Sequence, residues 1–221
     1  MTLLKSRPLS RRIYLLSCVS AFVLTLQRDG SSFWKVTGNL PLSGDWHEQD
    51  GFILILSGYL DQRDRLYAAL ELSPDAAQTL TDPALALAVW RRWGESGLAS
   101  LQGPIALMLA DLKDSQRPRI ILYREPLGRR GLYYFSSPQL LLVADEPAAL
   151  LAHPAVSNQT DEHWLACHFA LTRPADNRTP FRHIRKLLPG ERLICTPEDI
   201  RLHREPLVFG QQTLSCRSDQ E

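Results

Sequence analysis

The chain has 221 residues, of which 44% are hydrophobic and 22% are charged, close to the averages for globular proteins. This apolar content is enough for a sizeable core and excludes a chain that is disordered throughout. Its 25 lysines and arginines nearly balance 24 acidic residues. The resulting net charge of +1 gives no field that would hold a polyanion, so no nucleic-acid partner is expected.

The cysteines indicate a reducing compartment, because there are only four and they are widely scattered: Cys18, Cys167, Cys195 and Cys216. No two of them have the spacing of zinc ligands. His163 and His168 flank Cys167, but no third cluster completes a site. We therefore predict no metal site and a cytoplasmic location.

The amino terminus combines basic residues with an apolar run at 13–26, a pattern that a signal segment also shows. The run is too short to span a bilayer, and no small-residue cleavage site follows it. Only about four apolar residues precede Cys18, fewer than a lipoprotein signal needs. We predict a buried strand and no membrane partner. Lipid attachment through Cys18 stays open as an alternative, and membrane fractionation would reveal it.

In the first half of the chain, apolar runs at 18–26 and 52–56 predict buried strands. A turn at 27–32, a short returning strand at 33–36 and a loop at 40–50 are predicted between them. Asp61 is the predicted cap of a helix that reaches Leu70. Thr81 or Asp82 caps a stronger helix, which Gly94 ends.

In the second half, the pattern at 105–112 and 119–123 predicts a hairpin, followed by short strands at 132–135 and 140–143. A helical turn is predicted at 147–151, a helix capped by Asp161 comes next, and 192–195 is a late strand. The hairpins favour antiparallel pairing, which indicates a layered fold of mixed α and β elements.

A series of short motifs occurs in a fixed order: Ser57-Gly58, Leu60-Asp61-Gln62-Arg63, Thr81-Asp82-Pro83, Leu101-Gln102-Gly103-Pro104, Arg124-Glu125-Pro126-Leu127-Gly128 and Leu187-Leu188-Pro189-Gly190. In this order they resemble the amino-terminal, glutaminase-type domain of the asparagine synthetase family, which includes lasso-peptide cyclases. The resemblance implies an α+β fold: an αββα sandwich of two antiparallel sheets, of the amino-terminal-nucleophile hydrolase type. It places a glutaminase-like domain at 18–200, after a basic extension at 1–17 and before a tail or linker remnant at 201–221.

The resemblance also implies a set of site residues. In active members an amino-terminal cysteine attacks glutamine, and its own α-amino group is the base. Cys18 begins the segment that resembles the family's first strand, so it is the candidate catalytic residue, exposed only by processing or a later start. Ser57 and Gly58 match the oxyanion-hole pair, and Asp82 matches the residue that binds the substrate amine. A role for Asp82 as a helix cap is the alternative.

Several departures from the family pattern affect the chemistry. Val19 follows Cys18 where the family has glycine, and Ser57 replaces an asparagine whose amide would donate to the oxyanion. The segment 40–50 contains no arginine to clamp the glutamine carboxylate. We therefore predict a degenerate glutamine amidotransferase domain that is inactive as a glutaminase. An active glutaminase that uses Cys18 after processing is the alternative.

The sequence contains no Ser-Gly-Gly phosphate loop of the kind that the family's synthetase domain uses. We accordingly expect no cofactor in this chain. The resemblance implies that ATP and Mg²⁺ are bound by a separate synthetase domain, before which this chain is truncated. The expected partner is that ATP-pyrophosphatase domain or a peptide-maturation protein, in asparagine synthesis or lasso-peptide cyclisation.

Overall fold

The computed structural model describes the backbone of residues 23–29 and 33–39, and all atoms of residues 45–73, 75, 79–114, 117–196 and 198–204. The chain divides into two compact units. The first comprises Met1–Gly44 and Leu132–Lys186, and the second comprises Asp45–Gly131 and Leu187–Glu221. Within the described residues, each unit contains one antiparallel sheet.

The described strands are β1 Val23–Asp29, β2 Phe33–Asn39, β3 Trp46–Gln49, β4 Phe52–Gly58, β5 Ile105–Asp111, β6 Arg119–Arg124, β7 Tyr133–Ser137, β8 Leu140–Ala144, β9 Arg185–Lys186, β10 Glu191–Cys195 and β11 Ile200–Arg204. The described helices are α1 Arg63–Ala69, α2 Asp82–Trp93, a 3₁₀ segment at Gly94–Ser100, α3 Pro147–Leu151 and α4 Glu162–Phe169.

The larger sheet, in the second unit, has the strand order β11-β10-β6-β5-β4-β3. Its register places Leu54 opposite Leu109 and Leu56 opposite Leu107, so apolar side chains align across β4 and β5. These leucines form one core cluster with the buried face of α2. The opposite face of the sheet is apolar too, and Met108 on it is fully buried, which explains the continuous apolar runs in these strands.

Helix α2 is the main helix of this unit, and its ends follow from the sequence. The Thr81 hydroxyl accepts a hydrogen bond from the N–H of Ala84 at 3.4 Å, and Pro83 fits the first turn. Gly94 ends the helix with a φ of 60°, a conformation that glycine adopts without strain. Leu85, Leu87 and Val89 are fully buried. The predicted helix is therefore confirmed, with Thr81 as its cap.

The smaller sheet, in the first unit, has the strand order β2-β1-β8-β7-β9. Leu140, Leu142 and Ala144 of β8 lie in a core cluster with Ala149 and Leu150 of α3. Pro147 stands in the first turn of α3, where its missing N–H leaves no hydrogen bond unmade.

The predicted α+β class with two antiparallel sheets is confirmed. Three local predictions need correction. β1 continues to Asp29, through the start of the predicted turn, and β3 lies inside the predicted loop at 40–50. The N-cap of α1 is Gln62, in the left-handed conformation, and not the predicted Asp61. β11 pairs with β10 as far as Arg204. The domain bounds of 18–200 stay a prediction.

Helix α4 depends on Asp161, because none of its own side chains is buried. The Asp161 carboxylate accepts from the N–H of Trp164 at 2.8 Å and lies 3.1 Å from the Arg178 guanidinium. Burial by itself opposes ionisation of Asp161. The hydrogen bond from Trp164 and the charge of Arg178 outweigh that effect and lower its pKa from the usual 3.8.

Replacing Asp161 by Ala should lower the free energy of unfolding by about 1–2 kcal/mol, because both the cap and the ion pair are lost. Asp161→Asn is the matched control, since asparagine caps equally well and removes only the charge. The lowered folded-state pKa means that the carboxylate stabilises the protein above the unfolded-state value of 3.8 and that this contribution is lost as the pH falls through the folded-state pKa.

Urea unfolding at about pH 6 and about pH 3 measures this contribution. The stability difference between wild type and Asp161→Asn should be present at the higher pH and shrink at the lower one. A difference that does not change with pH would show that the Asp161 charge contributes nothing to folding.

Candidate functional site

Two glycines, Gly58 and Gly103, lie where the segment that follows β4 crosses the segment that precedes β5. Gly58 has a φ of +112°, and a Cβ there would lie 1.8 Å from the carbonyl oxygen of Pro104. Gly103 has a φ of +137°, and a Cβ there would lie 2.2 Å from the carbonyl oxygen of Tyr59. The two segments can cross this closely only because neither residue has a side chain.

Ser57 lies one residue before this crossing, at the end of β4. It pairs with Ala106 of β5 and is partly exposed. The predicted oxyanion-hole residues Ser57 and Gly58 therefore stand where a strand of the larger sheet passes into a loop. Such a loop on a rigid sheet is a common place for ligand-binding groups.

Asp82, the predicted ligand of a substrate amine, connects this loop to helix α2. It is the first residue of α2, and the cap position belongs to Thr81. Its Oδ2 accepts a hydrogen bond from the N–H of Leu60 at 2.8 Å. Its Oδ1 lies 3.0 Å from Nη1 of Arg63. Leu60 is two positions after Gly58 in the chain. Its hydrogen bond to Asp82 therefore connects the loop after β4 to the start of α2.

Arg63 is the residue of this site whose role the sequence did not reveal. Its guanidinium pairs with Asp82 and also donates to the carbonyl oxygen of Leu80, just before α2. Oδ1 of Asp82 is buried and makes no hydrogen bond of good geometry within the described residues, so the ion pair is its main contact. Arg63 belongs to the Leu60-Asp61-Gln62-Arg63 motif, and its place in that motif was the one indication in the sequence that it has a role at this site.

Cys18, the candidate nucleophile, lies outside the described residues. Its position relative to Ser57, Gly58 and Asp82 stays a prediction.

The Arg124–Gly128 motif forms a turn in which a side chain holds main-chain groups. Arg124 donates from Nε to the carbonyl oxygen of Arg130 at 2.6 Å, from Nη1 to that of Leu187 at 2.7 Å and from Nη2 to that of Gly128 at 2.6 Å. The carbonyl oxygen of Arg124 in turn accepts from the N–H of Gly190 at 3.2 Å. Two motifs that are about 60 residues apart in sequence therefore meet through Arg124.

Glu125 completes the same turn and is only 2% exposed. Its carboxylate accepts hydrogen bonds from the N–H groups of Leu127 and Arg129. The Arg129 side chain adds an ion pair at 3.6 Å. A buried carboxylate is stable only with such partners, so Glu125 serves the turn and is not available to a ligand.

No group of three potential metal ligands is present among the described residues. On α4, Nε2 of His163 lies 3.7 Å from Sγ of Cys167, and the His168 ring stacks on Trp164 with 5.0 Å between the ring centroids. Cys195 is buried in β10, which raises the pKa of its thiol to about 12. None of the described helices has the length and apolar character needed to cross a membrane.

Comparison with known proteins identifies the class. The family model of the glutamine amidotransferase domain matches residues 35–205. The chain therefore belongs to the glutamine amidotransferase domain family, and the predicted family resemblance is confirmed.

Among individual relatives, the chain is 28% identical over 170 residues to amidase chry2 of Gibberella zeae, covering 74% of this chain and 23% of the relative. It is 23% identical over 164 residues to asparagine synthetase [glutamine-hydrolyzing] 1 of Bacillus subtilis, covering 73% of this chain and 24% of the relative. The chain thus spans about a quarter of the length of the curated relatives it matches.

Two solved structures show a weaker likeness. Glutamine phosphoribosylpyrophosphate amidotransferase from B. subtilis is 16% identical with a TM-score of 0.47, covering 83% of this chain and 42% of that chain. A glutamine aminotransferase class-II domain protein from Silicibacter pomeroyi is 10% identical with a TM-score of 0.44, covering 83% of this chain and 97% of that chain.

Gly58→Ala should lower the free energy of unfolding by at least about 3 kcal/mol, because the new methyl group would overlap the Pro104 carbonyl oxygen at an unfavourable φ. Gly94→Ala is the matched control. Its φ of 60° is also positive, but a Cβ there meets nothing within 4 Å, so only backbone strain of about 1–3 kcal/mol is expected, a smaller loss than that of Gly58→Ala. Urea unfolding of both variants checks the difference, and equal losses would contradict the steric role of Gly58.

Arg63→Met and Asp82→Asn should be coupled by about 1 kcal/mol in a double-mutant cycle of unfolding free energies. Their side chains are 35% and 18% exposed, so solvent screening keeps the value below that of a buried pair. The more exposed Arg91–Asp50 pair is the control, with a coupling below about 0.5 kcal/mol. Strictly additive losses would show that Arg63 does not hold the Asp82 carboxylate.

Proposed function

We propose that this chain is a degenerate glutamine amidotransferase domain that does not hydrolyse glutamine and instead supports an ATP-dependent amide-forming reaction on a partner domain. The reaction belongs to the asparagine synthetase or lasso-peptide cyclase class of ligases and takes place in the cytoplasm. Two relatives, an amidase and a glutamine-hydrolysing asparagine synthetase, support amide chemistry as the setting.

The engaged state of Asp82 carries this proposal. A substrate ammonium group would need the Asp82 carboxylate, but Oδ2 is bonded to the N–H of Leu60, and Oδ1 is buried against Arg63. Arg63 is attached to the same chain 19 positions away, so it competes with any free ligand at a high effective concentration. Displacing it would also break its bond to the Leu80 carbonyl oxygen.

The oxyanion position supports the same conclusion. Ser57 has a hydroxyl group where active relatives of this family type carry a side-chain amide, so that amide donor is missing. Loss of one oxyanion donor costs about 3 kcal/mol of transition-state stabilisation, roughly a hundredfold in rate. The segment 40–50 adds no arginine for the substrate carboxylate. A glutamine bound here would lack the family's partners for its amine and its carboxylate, and one of the two donors to its developing oxyanion.

A peptide cyclase has no need of glutamine hydrolysis. In that reaction a side-chain carboxylate attacks the α-phosphate of ATP and releases pyrophosphate, and the α-amine of the same peptide then displaces AMP to form the amide. No ammonia is consumed, so the glutaminase site is free to lose its ligand-binding residues. ATP and Mg²⁺ would be held by the partner domain, since this sequence has no phosphate loop of the required type.

An active glutaminase that uses Cys18 after processing is the second candidate. The glycine at position 58 favours it, because the resemblance assigns this residue to the oxyanion hole and its main-chain N–H is still able to donate.

Ammonia release from glutamine distinguishes the two functions. The full-length chain and a chain that begins at Cys18 should both release no more ammonia than their Cys18→Ala counterparts. Intact mass shows whether residue 18 is the first residue of each sample.

Cys18-dependent ammonia release from either form would overturn the degenerate assignment and identify processing as the switch. Unfolding of each sample by urea, measured in parallel, excludes the loss of structure as a cause of silence. A sample that is folded, begins at Cys18 and releases no ammonia supports the proposal.

A further inference from the structure

An open crevice of about 420 Å³ lies in the second unit between α1 and the 3₁₀ segment that follows α2. Its volume falls within the roughly 300–1,000 Å³ range of small-molecule sites. Three of the predicted site residues, Ser57, Gly58 and Asp82, lie within the described residues, and none of the three lines the crevice. The crevice is therefore a second, separate candidate site.

The floor of the crevice is apolar. Leu66, which is 5% exposed, and Ala69 come from one face of α1, and Trp93 comes from the end of α2. Gly97 permits the close packing that shapes the opposite wall, because a Cβ there would lie 3.0 Å from Cγ1 of Val89. The half-buried indole of Trp93 gives an aromatic surface on which an apolar group can rest.

The rim carries one charge of each sign, and neither is paired with another described residue. Within the described residues, the Asp61 carboxylate and the Arg65 guanidinium take part in no ion pair or side-chain hydrogen bond. Neighbouring Arg63, by contrast, is paired with Asp82. Arg65 presents a planar fork of donors that suits a carboxylate, and Asp61 offers acceptors that suit an ammonium group.

We infer that this crevice binds a free α-amino acid with a large apolar side chain. Its carboxylate lies on Arg65, its ammonium group on Asp61, and its side chain against Trp93. A simple anion would meet the repulsion of Asp61, and a simple amine that of Arg65, so the zwitterion fits the rim best. Glutamine is a poor ligand here because its polar side chain gains nothing from the apolar floor.

L-Phenylalanine is the probe, and the indole N–H resonance of Trp93 in a ¹⁵N-correlated NMR spectrum is the readout, assigned by its disappearance in Trp93→Phe. Saturable shifts with a Kd on the order of 1 mM are expected, because Arg65 is exposed and Asp61 is partly exposed, so that solvent screens both charges. The amine 2-phenylethylamine and the acid 3-phenylpropionate, which each lack one charge, should bind about tenfold more weakly.

Arg65→Gln and Asp61→Asn should each weaken L-phenylalanine binding about tenfold, and Arg65→Gln should remove its advantage over 2-phenylethylamine. Arg92→Gln, an exposed arginine on α2 that does not line the crevice, is the matched control and should bind as wild type. Urea unfolding verifies that the variants fold, which is expected because neither side chain takes part in an ion pair or a side-chain hydrogen bond within the described residues.

No Trp93 shift at saturating probe, or equal binding by all three compounds, would overturn the inference. So would unchanged L-phenylalanine binding in both rim variants. These outcomes do not depend on ammonia release, so the crevice and the proposed loss of glutaminase activity stand or fall separately.

Discussion

The carboxylate of Asp82 is the contact on which the arrangement of this region depends. It binds the main chain just after the Gly58 crossing and the guanidinium of Arg63 at the start of α1. One side chain thus fixes the loop after β4, the first turn of α1 and the start of α2. Because α2 is the most buried helix of the unit, this contact also anchors the surface elements to the core.

The Arg124–Gly128 turn shows a second use of charge for structure. Arg124 holds three carbonyl oxygens, and the buried Glu125 carboxylate holds two N–H groups. These bonds satisfy main-chain groups that no regular element reaches, and an unmet buried group would be costly. Arg124 and Glu125, which belong to a surviving family motif, therefore serve the fold. Ser57, by contrast, departs from the family pattern at a position that the resemblance assigns to ligand binding.

This division agrees with the proposed function. A domain that only has to fold and support a partner keeps its glycine crossings and its turn contacts, whereas residues that bind glutamine are free to change. Asp82 illustrates the result, because a residue that matches a ligand-binding position is held by Arg63 of its own chain. Family membership is thus compatible with the loss of the chemistry that gives the family its name.

The sequence by itself determined the elements whose signals are local: α2 with its cap Thr81, the hairpin of β5 and β6, α4 with its cap Asp161, and the family to which the chain belongs. Caps, turns and apolar runs act within a few residues, so the elements that they form can be predicted from the sequence alone. Only the tertiary structure decided β3, an edge strand without a buried side chain that forms because β4 offers it a partner. It also decided the Arg63–Asp82 pair and the crevice beside Trp93, because contacts between residues far apart in sequence arise only once the sheet and helices are packed.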